Sequence, residues 1–179
     1  MVKQYIALLR GINVGGHKKI KMSGLRQVLT DLGFTKVKTL LASGNVLFEV
    51  ATTDLTALQQ TIETAIETNF GFPVPVLIRT HEAIEALIAS DPFSGIEVTA
   101  DTRLYITFLS HPPTSQLPIP YQSPDGSYQI LSVSDTEICS VLTLSDKIHT
   151  PDAMNILEKE FGKNITTRNW NTVLKLLDK

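Results

Sequence analysis

From Tyr5 to Leu9 every residue is apolar, without the alternation of a half-solvated strand, and this predicts a strand covered on both faces. Further on, Ser23 as N-cap, the stripe Leu25, Val28, Leu29 and Leu32, and Gly33 as a stop predict a helix. "VKTLLA" and "VLFEV" flank Ser43-Gly44-Asn45 and read as two strands joined by a tight hairpin. Thr53 and Asp54 then open a long helix with its apolar positions at Leu55, Leu58, Ile62, Ala65, Ile66 and Phe70. After Gly71, "PVPVLIR" is a strand that tolerates Pro73 and Pro75 at its start or on a sheet edge.

The element order to Arg79 is therefore β-α-β-β-α-β, the ferredoxin-like arrangement. The second half partly repeats it. A helix over "HEAIEALIA" is followed by the strand "RLYITFL", a proline-rich loop, and a hairpin turning at Ser134-Asp135. Thr150-Pro151-Asp152 opens another helix, with threonine as cap, and Gly162 closes it. A last helix carries Trp170, Val173, Leu174 and Leu177 on one face, capped by Thr167 or Asn169. The expected fold is α+β: a ferredoxin-like half over residues 1–80 and a related α/β half over 81–179. With no low-complexity linker between them, the halves are expected to pack as one unit.

This topology gives the first loop a neighbour. With strand 3 antiparallel between strands 1 and 2, the loop after strand 1 and the strand 2–3 hairpin lie at one end of the sheet. Arg10 to Lys21 should thus share an edge with Ser43-Gly44-Asn45, and edges where loops converge commonly carry sites. The loop itself, "RGINVGGHKKIK", matches neither nucleotide fingerprint. His17 and Lys18 stand where G-x-x-x-x-G-K-[ST] requires Lys and Ser/Thr, and Asn13 replaces the second glycine of G-x-G-x-x-G. Two readings stay open: a plain tight turn, and a cradle in which Gly15-Gly16 turn their amides toward an anion.

Charge favours an anionic partner at that place. The net charge of −2 conceals an uneven distribution: residues 1–38 hold eight Lys or Arg against Asp31 alone, and the remainder is strongly acidic. The overall balance does not resemble that of most nucleic-acid-binding domains, so nucleic acid is not expected as a partner. No apolar run is long enough for a membrane span, and the single cysteine, Cys139, fits a buried strand position in a reducing, cytoplasmic compartment. The four histidines are scattered without metal-ligand spacing, and no nucleophile elbow is present. No metal, cofactor or reaction is assigned.

Near the C-terminus, "NITTRNWNTVLKL" concentrates Arg168, Asn169 and Asn171 around Trp170, a set suited either to polar recognition or to capping with a Trp anchor. Taken together, "LLRGINVGG" with Ile20 and Met22, "SGNVLF" at 43–48, and "TTRNWNTVLKL" resemble the bacterial family called domain of unknown function 1697. The resemblance spans almost the whole chain. It implies an α+β fold built from ferredoxin-like elements and no established activity. The motif positions it carries over are Arg10, Gly11, Asn13, Gly15, Gly16, Ser43, Gly44, Asn45, Thr167, Arg168, Asn169, Trp170 and Thr172.

The functional expectation is a small anionic ligand, phosphate-bearing or nucleotide-like, held between the first loop and the hairpin. Arg10 would recognise charge, Gly15 and Gly16 would offer backbone amides, and Asn13, Ser43 and Asn45 neutral hydrogen bonds. Arg168, Asn169 and Trp170 would complete the wall. The alternative is a non-catalytic RNA- or protein-binding module, which for RNA would want Tyr5 and Phe48 exposed on the sheet.

Overall fold

In the computed structural model, which describes residues 1–51 and 54–177, five consecutive residues of β1 (Lys3–Leu9) are buried, Tyr5 through Leu9. Both faces of this strand are covered, as its unbroken apolar run predicts. The chain divides into two units, residues 1–86 with 175–179, and residues 87–174.

The first unit continues with α1 (Met22–Asp31), β2 (Thr35–Leu40), β3 (Asn45–Val50), α2 (Leu55–Phe70), β4 (Val76–Thr80) and the start of α3 (His81–Ala89). Its four strands are ordered β2-β3-β1-β4, every neighbouring pair antiparallel. The strand β3 thus lies between β1 and β2, as the element order implies. One face packs Tyr5, Ala7, Leu9, Val46, Phe48, Val76 and Ile78 against Leu25, Val28 and Leu29 of α1 and Leu58, Ile62 and Ile66 of α2. Phe48 stacks on Phe34 with ring centroids 4.8 Å apart.

Local chemistry shifts some boundaries. Helix α1 begins at Met22, with Lys21 as N-cap and no side-chain cap, so Ser23 sits inside the helix rather than at its head. Met22 packs on the core, and this anchors the first turn two residues earlier than the capping pattern suggests. Thr53 lies outside the described residues. Asp54 is the N-cap of α2, its Oδ1 accepting from Ala57 N–H at 3.0 Å, and Gly71 ends the helix in the left-handed region. Asp54→Ala should lower stability by about 0.5–2 kcal/mol, read from chemical denaturation.

The two edges of this sheet are finished differently. The outer strand β2 carries a bulge between Thr35 and Lys38, with Lys36 at φ 49°. At the other edge, Glu63 of α2 reaches the start of β4, its Oε1 accepting from Val76 N–H at 2.8 Å.

In the second unit, β5 (Thr102–Leu109), β6 (Tyr121–Gln122), β7 (Tyr128–Val133), β8 (Glu137–Thr143) and β9 (Ile165–Asn169) form an antiparallel sheet ordered β6-β7-β8-β5-β9. The core β7-β8-β5-β9 repeats the order β2-β3-β1-β4 of the first sheet. A loop containing β6 stands where the first unit has α1. Helix α4 (Thr150–Phe161) lays Ala153 and Leu157 on Tyr105, Leu109, Ile130, Ile138 and Leu142. Its N-cap is His149 rather than Thr150: Asp152 Oδ2 accepts from His149 N–H at 2.8 Å, while Thr150 Oγ1 bonds the Tyr105 hydroxyl at 2.9 Å. Cys139 is buried on β8.

The C-terminal motif departs most from its expected form. Thr167 caps no helix; it lies in β9, paired with Thr107 of β5, and the two hydroxyls share a 2.8 Å hydrogen bond. The β-branched run Ile165-Thr166-Thr167 suits a pleated strand, and β5 supplies its partner. Helix α5 (Trp170–Lys175) follows directly, with Asn169 Oδ1 accepting from Asn171 N–H at 2.9 Å. Val173 is buried in it, whereas Leu174 is exposed, so the expected apolar stripe is narrower.

Candidate functional site

The edge formed by the first loop and the β2–β3 turn is built from backbone first. Leu9 N–H donates to Gly44 O at 2.8 Å, and Arg10 N–H donates to Pro75 O at 2.9 Å, so the end of β1 is tied on both sides. The loop then doubles back as a miniature hairpin. Asn13 N–H donates to Lys18 O, His17 N–H donates to Val14 O, and Gly15 and Gly16 occupy its tip at φ 59° and 79°. Two central residues with positive φ define a type I′ turn, for which Gly-Gly is well suited. The tip is therefore a tight turn, and both glycines are exposed. Among the described residues, their N–H groups have no hydrogen-bond partner.

Asn13 joins this hairpin to the second loop. Its Nδ2 donates to Ile20 O at 3.0 Å and to Ala42 O at 2.7 Å, and its Oδ1 accepts from Ile20 N–H at 2.9 Å. Both amide donors are used on backbone. Asn45 does similar work one strand away, fully buried, with Nδ2 donating to Leu40 O at 2.8 Å and Ser43 Oγ at 3.1 Å. Beneath the turn, Gly44 at φ 84° has no room for a side chain. A Cβ there would stand 2.7 Å from Ile12 Cδ1 and 2.8 Å from Leu9 Cβ.

The structure thus brings Arg10, Asn13, Gly15, Gly16, Ser43 and Asn45 to one end of the first sheet. Arg10 is half-buried at the base, and Ser43, His17, Lys19 and Lys21 are exposed. Lys18 Nζ donates to Pro73 O at 2.8 Å. Arg168, Asn169 and Trp170 belong to the second unit. Arg168 is buried on β9, its guanidinium donating to Thr166 Oγ1 at 2.8 Å and Thr167 O at 3.0 Å, and burial pulls its pKa down to about 10. It stays charged at neutral pH. Trp170 meets Phe93 edge-on, with centroids 5.3 Å apart.

Two hollows escaped the sequence reading. In the second unit a cavity of about 230 Å³ opens beside Ser110, His111, Glu160 and Asn164, where Ser110 Oγ and His111 Nδ1 share a 2.8 Å hydrogen bond. In the first unit a cavity of about 330 Å³ lies over Leu47, between the lysines of β2 and the start of α3. Alternation along β3 places Leu47 on the opposite face from Phe48, a hint visible in sequence. The bulge that positions the lysines leaves no such trace. Among the described residues no group of three or more His, Cys, Asp or Glu could hold a metal ion, and no helix is long and apolar enough to cross a membrane.

Two antiparallel sheets of matching core order, with five helices among the described residues and a loop edge stitched by the half-buried Asn13, define a mixed α+β protein with a repeated strand plan. The chain belongs to the family described as Protein of unknown function (DUF1697), whose family model matches residues 2–138. Among solved structures, it is similar in fold to the conserved bacterial protein SP0830 from Streptococcus pneumoniae. The TM-score is 0.72 at 24% identity, over 98% of this chain and 97% of that one. Comparison with the curated proteins finds no match.

Proposed function

We propose that the end of the first sheet binds a small anionic ligand bearing a phosphate or a comparable group. The observation that carries this reading is the tie between the first loop and the β2–β3 turn through Asn13, which gathers Arg10, the exposed Gly15 and Gly16 amides and Ser43 at one edge. Arg10 offers a planar guanidinium suited to a bidentate oxyanion, the glycine amides offer neutral donors, and Asn13 and Asn45 hold the frame. The lysines at 19 and 21 add a positive field that draws anions toward the edge. A base-stacking surface is poorly supported, because Tyr5 and Phe48 are both buried in the core against the helices.

Thermal-shift titration of wild type and Arg10→Lys with inorganic phosphate, nucleotides and sugar phosphates tests the reading. At about 100 times its Kd a ligand adds about 2.7 kcal/mol of stability. That corresponds to several degrees in a protein of this size, at about 2–4 °C per kcal/mol. Arg10→Lys keeps the charge and loses the fork, so each compound's shift, measured from the variant's own ligand-free midpoint, should shrink. Absence of a wild-type shift with every phosphate compound refutes the reading. Labelled single-stranded RNA should bind weakly and release as salt rises; tight binding at moderate salt would favour the nucleic-acid module instead.

A further inference from the structure

The cavity over Leu47 stands apart from the loop edge. Its volume of about 330 Å³ falls at the small end of the range of ligand pockets, about 300–1,000 Å³. Leu47 lies on its floor, and Leu176 and Leu177 of the C-terminal segment supply further apolar lining. These give the cavity an apolar body.

Its charges divide into committed and uncommitted groups. Gln4 Nε2 donates to Glu49 Oε1 at 2.8 Å, and Lys36 Nζ reaches the same oxygen at 3.0 Å. The Gln4 hydrogen bond, then that of Lys36, holds the Glu49 carboxyl below the usual range. Glu85 has His81 Nδ1 at 3.4 Å on the same helix. Glu49 therefore already has two internal donors, whereas Glu85 beside the His81 ring is largely open to solvent. Lys38 does not share this arrangement. It sits directly across from Leu47 in the β2–β3 register, and no hydrogen bond or ion pair engages its ammonium among the described residues. The bulge before it explains the difference. An extra residue on β2 lets Lys36 reach Glu49 while Lys38 stays opposite Leu47.

An apolar hollow with Glu49 held by internal donors, Glu85 turned largely to solvent and one unengaged cation at its rim is complementary to a ligand with an apolar body and one negative head. We propose that this cavity binds a small amphipathic monocarboxylate, its head on Lys38 Nζ and its apolar body over Leu47 and Leu177. A cationic ligand would find Glu49 occupied and Lys38 repulsive, and a neutral apolar one would leave the ammonium without a counter-ion as water is displaced.

The test compares octanoate with octan-1-ol, used below micellar concentrations, by calorimetry and by the methyl NMR signals of Leu47, Leu176 and Leu177. Wild type should bind octanoate about tenfold more tightly than octan-1-ol, a margin of about 1.4 kcal/mol. Both should shift those methyl signals. Lys38 is exposed, so Lys38→Gln should fold normally and bind the two compounds alike. Leu47→Glu should weaken both. Arg10→Lys should leave octanoate binding unchanged, which separates this site from the loop edge whatever the fate of the phosphate titration. Equal wild-type affinities, a preference that survives Lys38→Gln, or no methyl shift at millimolar octanoate would each overturn the proposal.

Discussion

Gly44→Ala should destabilise the protein by about 2–5 kcal/mol, lowering its thermal midpoint by roughly 4–20 °C. Two costs combine. Alanine at φ 84° pays the left-handed penalty of about 1–2 kcal/mol. Its Cβ then meets Ile12 Cδ1 at 2.7 Å and Leu9 Cβ at 2.8 Å, and overpacking of this kind adds about 1–3 kcal/mol. Leu9 Cβ is fixed by the β1 backbone, so it cannot swing aside as the end of a long side chain would. The control is Gly16→Ala, also at positive φ but with open space around its Cβ, which should show the conformational cost alone. Equal losses at the two positions would mean that the contact with Leu9 and Ile12 contributes nothing.

The second large effect is expected at Asn13. Asn13→Ala removes three hydrogen bonds that join the hairpin to Ile20 and Ala42, and it places alanine at φ 56°. At about 0.5–1.5 kcal/mol for each bond, plus about 1–2 kcal/mol for alanine in the left-handed region, the loss should be about 2.5–6.5 kcal/mol. Two further variants separate the causes. Asn13→Gly restores the conformational freedom without the bonds and should recover part of the loss. Asn13→Asp keeps an acceptor for Ile20 N–H but sets a carboxylate against two carbonyl oxygens, so it should be at least as damaging as alanine. Urea denaturation of the three variants gives the order directly, and a fully stable Asn13→Asp would show that the amide donors are unimportant.

These positions also show what was legible beforehand. Meeting of the two loops follows from element order, because a strand that returns between its two predecessors brings those loops to one end. Phe48 and Leu47 could be assigned to opposite faces from alternation alone. Asn13 was legible as part of the loop motif, but its work of bonding backbone across 29 residues was not, since a side-chain amide reads the same whether it meets a ligand or a carbonyl. Thr167, one of the two cap candidates, lies instead in the strand Ile165–Asn169. The local capping pattern of Asn169 and Trp170 is real, and the strand before it depends on β5, some 60 residues away. The cavity over Leu47 was hidden for a related reason: the bulge at Lys36 and the C-terminal leucines that line it are matters of register and chain return, which no local pattern encodes.

The Glu63 carboxylate at the start of β4 has a consequence for the fate of the protein at high concentration. An exposed strand edge is a template on which another chain can add itself, and the outward N–H groups are the first hooks. At Val76 that hook is already occupied from within, and the preceding Pro75 has no N–H to offer. Across the sheet, the bulged and lysine-bearing β2 is a poor template by geometry and charge. A strand adding itself to this sheet would have to displace Glu63 at the start of β4 or match the bulge of β2. Part of what guards this edge is therefore a helix residue, Glu63, that takes no part in either proposed site.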